Sequence, residues 1–170
     1  MYILAAVLVI AIVVVGVGAY VYLGMGGGTT EGNGVADATS LQYDADVTYQ
    51  GATSLYQFVA KDIDTDNMAL RIDILGGETG NYTYILNGAD QTAWVGVNDE
   101  WTDVSSDFTN QWNAWVGEGK QWTTDVNNLA ANWSGTGDYT YTDSATDTTI
   151  RIYNIMVNST IDDSLFQHTA

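Results

Sequence analysis

The chain has 170 residues, of which 21 are acidic and 4 basic, for a formal net charge of −17. That charge excludes a phosphate-backbone partner on electrostatic grounds and repels an anionic membrane surface. There is no Cys, so no disulfide, thiolate chemistry or Cys-based zinc site, and the one His, His168, lies near the end of the chain, which leaves neither a Ser-His-Asp nor a His-metal arrangement a basis.

The chain opens on "MYILAAVLVIAIVVVGVGAYVYLG", with no charged residue before Glu31. As a helix this stretch rises ~1.5 Å per residue, so residues 1–23 extend roughly 34 Å, enough to cross a ~30 Å hydrocarbon core. Gly16 and Gly18 allow close approach of a second helix or a bend. Three readings compete. A retained signal peptide needs a basic segment ahead of a shorter apolar run, and a membrane anchor ordinarily has flanking positive charge. A processed filament subunit, cut by a peptidase just before its apolar stretch, starts at the helix itself. Residues 1–23 resemble the N-terminal helix of archaeal type IV pilins and archaellins. Ala5 stands where bacterial pilins usually carry Glu, an acid that archaeal relatives often lack.

"GGGTTEGNGVADATS" (Gly26 to Ser40) reads as a loosely packed linker. Strand signals follow: Leu41 to Tyr49 with a turn at Gly51, then alternation through Leu55–Ala60 and Met68–Leu75, a turn at Gly76-Gly77, and Tyr82–Leu86 before the hairpin signal Asn87-Gly88. Trp94–Val97 and Glu100-Trp101 extend this antiparallel meander. The period then changes. Val104, Phe108, Trp112, Trp115 and Val116 form one helical stripe, and Trp122, Val126, Leu129, Ala130 and Trp133 form another. Ser105 or Ser106 is the expected cap of the first helix, and Thr123 or Thr124 the expected start of the second. Tyr139–Tyr141 and Thr149–Val157 return to strand.

The expected architecture is therefore α+β: a long N-terminal apolar helix over 1–24, a Gly/Thr-rich linker over 25–40, and a head over 41–170. The head is an antiparallel β-meander with two Trp-rich helices packed on the sheet. A meander, helices and closing strands resemble the half-barrel of bacterial lipoprotein-carrier proteins, with "YILNGADQTAWVGVNDEWTDVS" as the hairpin ladder. That resemblance implies a fold only.

Two motifs bear on chemistry. In "DIDTDNMALRID", Asp62, Asp64, Asp66 and Asp73 occupy positions 1, 3, 5 and 12 of an EF-type calcium loop. Asn67 replaces the turn glycine, Asp73 is shorter than the usual Glu, and the neighbours read as strands. The competing reading, a turn with acids facing water, is the stronger, so no metal is assigned. Asn81-Tyr82-Thr83, Asn132-Trp133-Ser134 and Asn158-Ser159-Thr160 are N-glycosylation sequons, which makes Asn81, Asn132 and Asn158 candidate sites for N-linked glycans. Chance Asp pairs such as Asp162-Asp163 do not define a catalytic dyad, and no catalytic residue or cofactor is assigned.

The expected role is structural. The chain would be a subunit of an extracellular pilus-like filament, membrane-inserted before assembly and then partnered with copies of itself, with adhesion as a surface function of the head. The alternative is a membrane-anchored extracytoplasmic half-barrel that binds an apolar ligand. Enzymatic activity is not expected.

Overall fold

The structure is a computed structural model that describes residues 33–77, 80–98, 100–144 and 146–168. The apolar stretch at 1–24 and the linker up to residue 32 lie outside the described residues. The head is α+β, built on one eight-stranded antiparallel sheet. Its strands are β1 (Ser40–Tyr49), β2 (Ala52–Lys61), β3 (Ala69–Gly77), β4 (Gly80–Asn87), β5 (Thr92–Val97), β6 (Glu100–Asp103), β7 (Tyr139–Asp143) and β8 (Thr148–Val157). They lie side by side in the order β6-β5-β4-β3-β2-β1-β8-β7. The first six form a meander. A bent helical segment then carries the chain from the β6 edge to the opposite edge, in two parts, α1 (Phe108–Val116) and α2 (Gln121–Asn132).

The period-2 alternation explains which face each strand buries. On β1, Leu41, Tyr43 and Ala45 point to one face, and Gln42, Asp44 and Asp46 to the other. The register carries the apolar face across the sheet. Tyr43 pairs with Phe58, Phe58 with Ile72, Ile72 with Tyr84 and Tyr84 with Val95. On the other side, Ala45 pairs with Ile152, and Ile152 with Tyr139. Tyr43, Phe58, Leu70, Ile72, Leu86 and Ile152 are fully buried.

The opposite face carries one buried apolar patch. Ala69, Ile85, Val59, Trp94 and Trp101 are covered there by Ile161, Leu165 and Phe166 of the C-terminal segment. Gly96 suits that patch, because a Cβ on it would stand 3.1 Å from the Trp101 ring and would need the ring to give way by a few tenths of an ångström. His168 belongs to the same cover. Its ring stacks on Trp101 at 4.4 Å and meets Trp94 edge-on at 4.9 Å. It is not the solvated tail residue that its position near the chain end suggests.

The sequence marks β4–β5 as a hairpin, and so it is, with a connection over 88–91. Gly88 serves a packing role here. Its N–H donates to the Met68 carbonyl at 2.9 Å, and a Cβ would lie 2.8 Å from the Asp66 carbonyl oxygen. Residues 33–39, read from sequence as part of a loose linker, are packed. Val35 and Ala38 are buried. Asn33 Nδ2 donates to the Leu129 and Trp133 carbonyls at 2.6 and 2.8 Å, which satisfies the C-terminal end of α2.

Phe58 contacts Tyr43, Tyr56, Trp115 and Trp122 from the middle of the sheet. Phe58→Ala should therefore destabilise the head by about 3–5 kcal/mol, because the rigid aromatic neighbours cannot close the cavity. Urea unfolding of the full chain, followed by tryptophan fluorescence, measures this directly.

Candidate functional site

The helical stripes meet the inner face of the sheet. Trp122, Leu129 and Trp133 are buried there, and Val104, Phe108, Trp112, Trp115, Val116, Val126 and Ala130 pack around them. The stripes thus mark the packing face, although Trp112 and Trp115 are only half-buried. The expected caps take other roles. Ser105 begins a 3-10 turn, and its Oγ accepts from the Ala93 N–H at 3.0 Å. Asp107, the residue before α1, accepts from the Asn110 side chain at 2.5 Å. Lys120 precedes α2 without a side-chain cap, and Thr123 donates its hydroxyl to the Val116 carbonyl at 2.6 Å, which ties the two parts together at the bend.

At the centre of this packing lies an ionisable group that sequence reasoning missed. Asp125 of α2 is 0% exposed. Tyr43 from β1 donates its hydroxyl to Oδ2 at 2.9 Å. Tyr141 from β7 donates to Oδ1 at 2.5 Å, and Gln121 Nε2 donates to the same oxygen at 2.8 Å. A signal was available: Trp122, Asp125 and Leu129 are spaced 3 and 4 apart, so one acid sits on the apolar stripe itself. Burial opposes ionisation, and the three donors oppose that effect only in part, so the Asp125 carboxyl is raised to about 6. The same burial, together with the neighbouring carboxylate, pushes the Tyr43 and Tyr141 hydroxyls up. Tyr43 also stacks on Phe58 and Trp122, at 4.9 and 5.8 Å. The network therefore locks α2 to β1 and β7 at once. It is a closed arrangement, and among the described residues no buried side-chain polar atom lacks a partner.

The acids of the calcium motif do not converge. Asp62 and Asp64 lie in the turn after β2 with positive φ of 53° and 62°, and Thr65 donates its hydroxyl to the Asp62 carbonyl at 2.7 Å. Asp73 lies along β3. It takes a bidentate pair from Arg71, at 2.8 and 3.0 Å, and the Thr83 hydroxyl at 2.5 Å. Among the described residues no group of three or more His, Cys, Asp or Glu is placed to hold a metal ion. Asp66 instead borders an open hollow with Asn67, Gly88, Gln91, Phe108 and Trp112. The sequons fall at three kinds of place: Asn81 in β4, Asn132 at the last residue of α2, and Asn158 just past β8. All three asparagines are exposed.

No protein-family model matches the chain, and no curated protein matches it either. The geometry alone carries the functional reading. It presents a closed aromatic core around Asp125, an acidic exterior, and an Asn33 side chain clamped at the C-terminal end of α2.

Asp125 has a measurable consequence. Its folded-state value near 6 lies above the ordinary 3.8, so the folded protein binds the proton more tightly between those pH values. The stability it contributes is fully present below about pH 3.8 and is lost as pH rises through 6. The difference corresponds to roughly 3 kcal/mol. Asp125→Asn, uncharged and of the same shape, should remove that part of the pH dependence and leave the part due to surface acids. Urea midpoints at pH 4.5 and 7.5 for both proteins give the comparison, and equal slopes would show that the buried charge is not felt.

Proposed function

We propose that this chain is the structural subunit of an extracellular type IV pilus-like filament. Residues 1–24 form the apolar core helix, and the acidic head forms the outer wall. One observation carries the reading: the head needs no apolar cover from residues 1–23. Its inner sheet face is occupied by α1 and α2, and its outer patch by residues 161–166. Tyr49 and Met156 are the large hydrophobic residues left exposed among the described residues. A run with no charged residue and no Asn, Gln, Ser or Thr must then be covered by something else. Lipid covers it before assembly, and sister helices cover it afterwards, with Gly16 and Gly18 admitting close approach.

The head's charge fits that arrangement. Helices supply the attraction, and mutually repelling heads stay hydrated and separate except where salt screens them. The head surface is then free for contact with the surroundings, including adhesion. The rival reading, an anchored half-barrel holding an apolar ligand, is supported less well, because the sheet face that would hold the ligand is filled by Trp122, Leu129 and Trp133.

The test is a charge placed in the proposed helix bundle. Ala6→Glu should abolish fibres in negative-stain electron microscopy while the head keeps its tryptophan fluorescence and urea midpoint. Normal fibres from the Ala6→Glu strain would overturn a buried helical core.

A further inference from the structure

The three sequons are equivalent in sequence but not in structure. N-glycosylation of a folded chain needs an accessible amide nitrogen, a hydroxyl two residues on that is free to be gripped, and a backbone between them that is not locked into a sheet or core.

Asn81-Tyr82-Thr83 fails on the last two requirements. It lies in β4, where Thr83 pairs with Asp73 on one side and Gly96 on the other. The Thr83 hydroxyl is already given to Asp73 at 2.5 Å, and Tyr82 is buried between them. Asn132-Trp133-Ser134 fails at its centre. Trp133 is buried, and its indole N–H donates to the Gly137 carbonyl at 2.9 Å. Asn132 Nδ2 donates to the Asn128 carbonyl at 3.3 Å, and the Ser134 hydroxyl donates to the Thr136 carbonyl at 3.1 Å.

Asn158-Ser159-Thr160 meets the first two requirements and comes nearest to the third. It lies past the last ladder pair of β8, with the Asn158 N–H given to the Ser40 carbonyl at 2.9 Å, the Ser159 carbonyl accepting the Ser40 hydroxyl at 2.7 Å and the Ser159 hydroxyl accepting from Gln42 Nε2 at 2.9 Å. It follows β8 in irregular backbone, with both Asn158 and Thr160 exposed. The Thr39 N–H and hydroxyl both donate to Asn158 Oδ1, at 2.8 and 3.2 Å. Those bonds orient the amide through its oxygen, and Nδ2 has no partner among the described residues. The Thr160 hydroxyl is likewise uncommitted. An N-linked sugar replaces one hydrogen of Nδ2 and leaves Oδ1 an acceptor, so the Thr39 contacts survive modification. From these contacts we infer that Asn158 is the glycosylated residue of this protein.

The inference rests on the proposed function in one respect, that the head lies outside the membrane. The donor is a sugar carried on a lipid phosphate, brought by a separate transferase. The bond between the anomeric carbon and the phosphate oxygen breaks, and the phosphate leaves with its electron pair. A bond forms from that carbon to Nδ2, and the proton lost from Nδ2 passes to a base of the transferase. The glycan then stands beside Thr39 and Ser40, at the end of the sheet where β1 begins.

Trypsin separates the three sites, because the bases lie at Lys61, Arg71, Lys120 and Arg151. Asn81, Asn132 and Asn158 therefore fall on different peptides. The experiment takes the full chain from the cells that make it, in sheared filaments and in the membrane fraction, and weighs these peptides by mass spectrometry. The peptide after Arg151 should carry an added sugar mass on most copies, and the other two should not. Thr160→Ala, which leaves Asn158 and its contacts to Thr39 intact, should return that peptide to its bare mass. Asn158 bare in the wild type, sugar on Asn81 or Asn132 in its place, or a mass that persists in Thr160→Ala would each overturn the inference. The fractions separate it from the filament reading. Bare Asn158 in sheared filaments sinks the site alone, sugar on a chain found only in membranes sinks the filament alone, and bare Asn158 with no filaments sinks both.

Discussion

The head depends on the covering of one sheet face by one bent helical segment. A sheet whose inner face reads Tyr43, Phe58, Ile72 and Tyr84 cannot leave that face in water. The meander spends its strands in sequence order and ends at β6, at one edge. Crossing to the far edge forces the chain over the inner face, and the apolar stripes make that crossing favourable. Trp122 and Asp125 then fix where α2 lands. One stacks on Tyr43 and the other accepts the Tyr43 hydroxyl. Tyr141 reaches the same carboxyl from β7, so the returning edge is tied to the first strand through the helix above them. A buried acid is costly unless its lone pairs are filled. Here three donors fill them, and the cost is expressed as a raised ionisation threshold rather than as an unpaired group.

Charge is managed differently on the outside. Three of the four bases are held by acids: Lys61 by Asp163, Arg71 by Asp73, and Arg151 by Asp46 and Asp138. The Lys61 contact pins the C-terminal segment over the outer patch, with its ammonium also 5.5 Å from the centre of the Phe166 ring. Arg151 is half-exposed and bridges β1 to the approach of β7, a position where solvent screens each pair and the value lies in orientation more than in energy. Apart from the buried Asp125, most of the other described acids, among them Asp37, Asp62, Asp64, Asp66 and Asp90, are exposed. Such a surface favours separate, hydrated heads, so any assembly of this chain must draw its attraction from elsewhere in the sequence.

That division of labour is the physical core of the proposed filament subunit. The head covers its two apolar surfaces with its own segments, and in the proposed subunit the N-terminal run is covered by lipid or by copies of itself. Asn33 is clamped to the end of α2. The proposed glycan at Asn158 would stand at the start of β1, through its contact with Thr39.

The sequence by itself determined the elements. Period-2 alternation marked the strands, and the spacing of the Trp residues marked both helical stripes, because local geometry alone sets those periods. It also located the three sequons and the one apolar run. Only the tertiary structure decided which strands are neighbours across the break, since β8 lies beside β1 through pairs from Tyr49–Thr148 to Leu41–Val157, about a hundred residues apart along the chain. It also decided the fate of individual polar residues. Among 17 Asp, nothing in composition distinguishes the buried Asp125 from Asp73, drawn into an ion pair, or from the acids that face water. His168 likewise reads as a tail residue until Trp94 and Trp101 are brought together by the β5–β6 pairing. The reason is common to these cases. An element's period is a property of consecutive residues, whereas a side chain's surroundings are set by partners that folding brings from far along the chain.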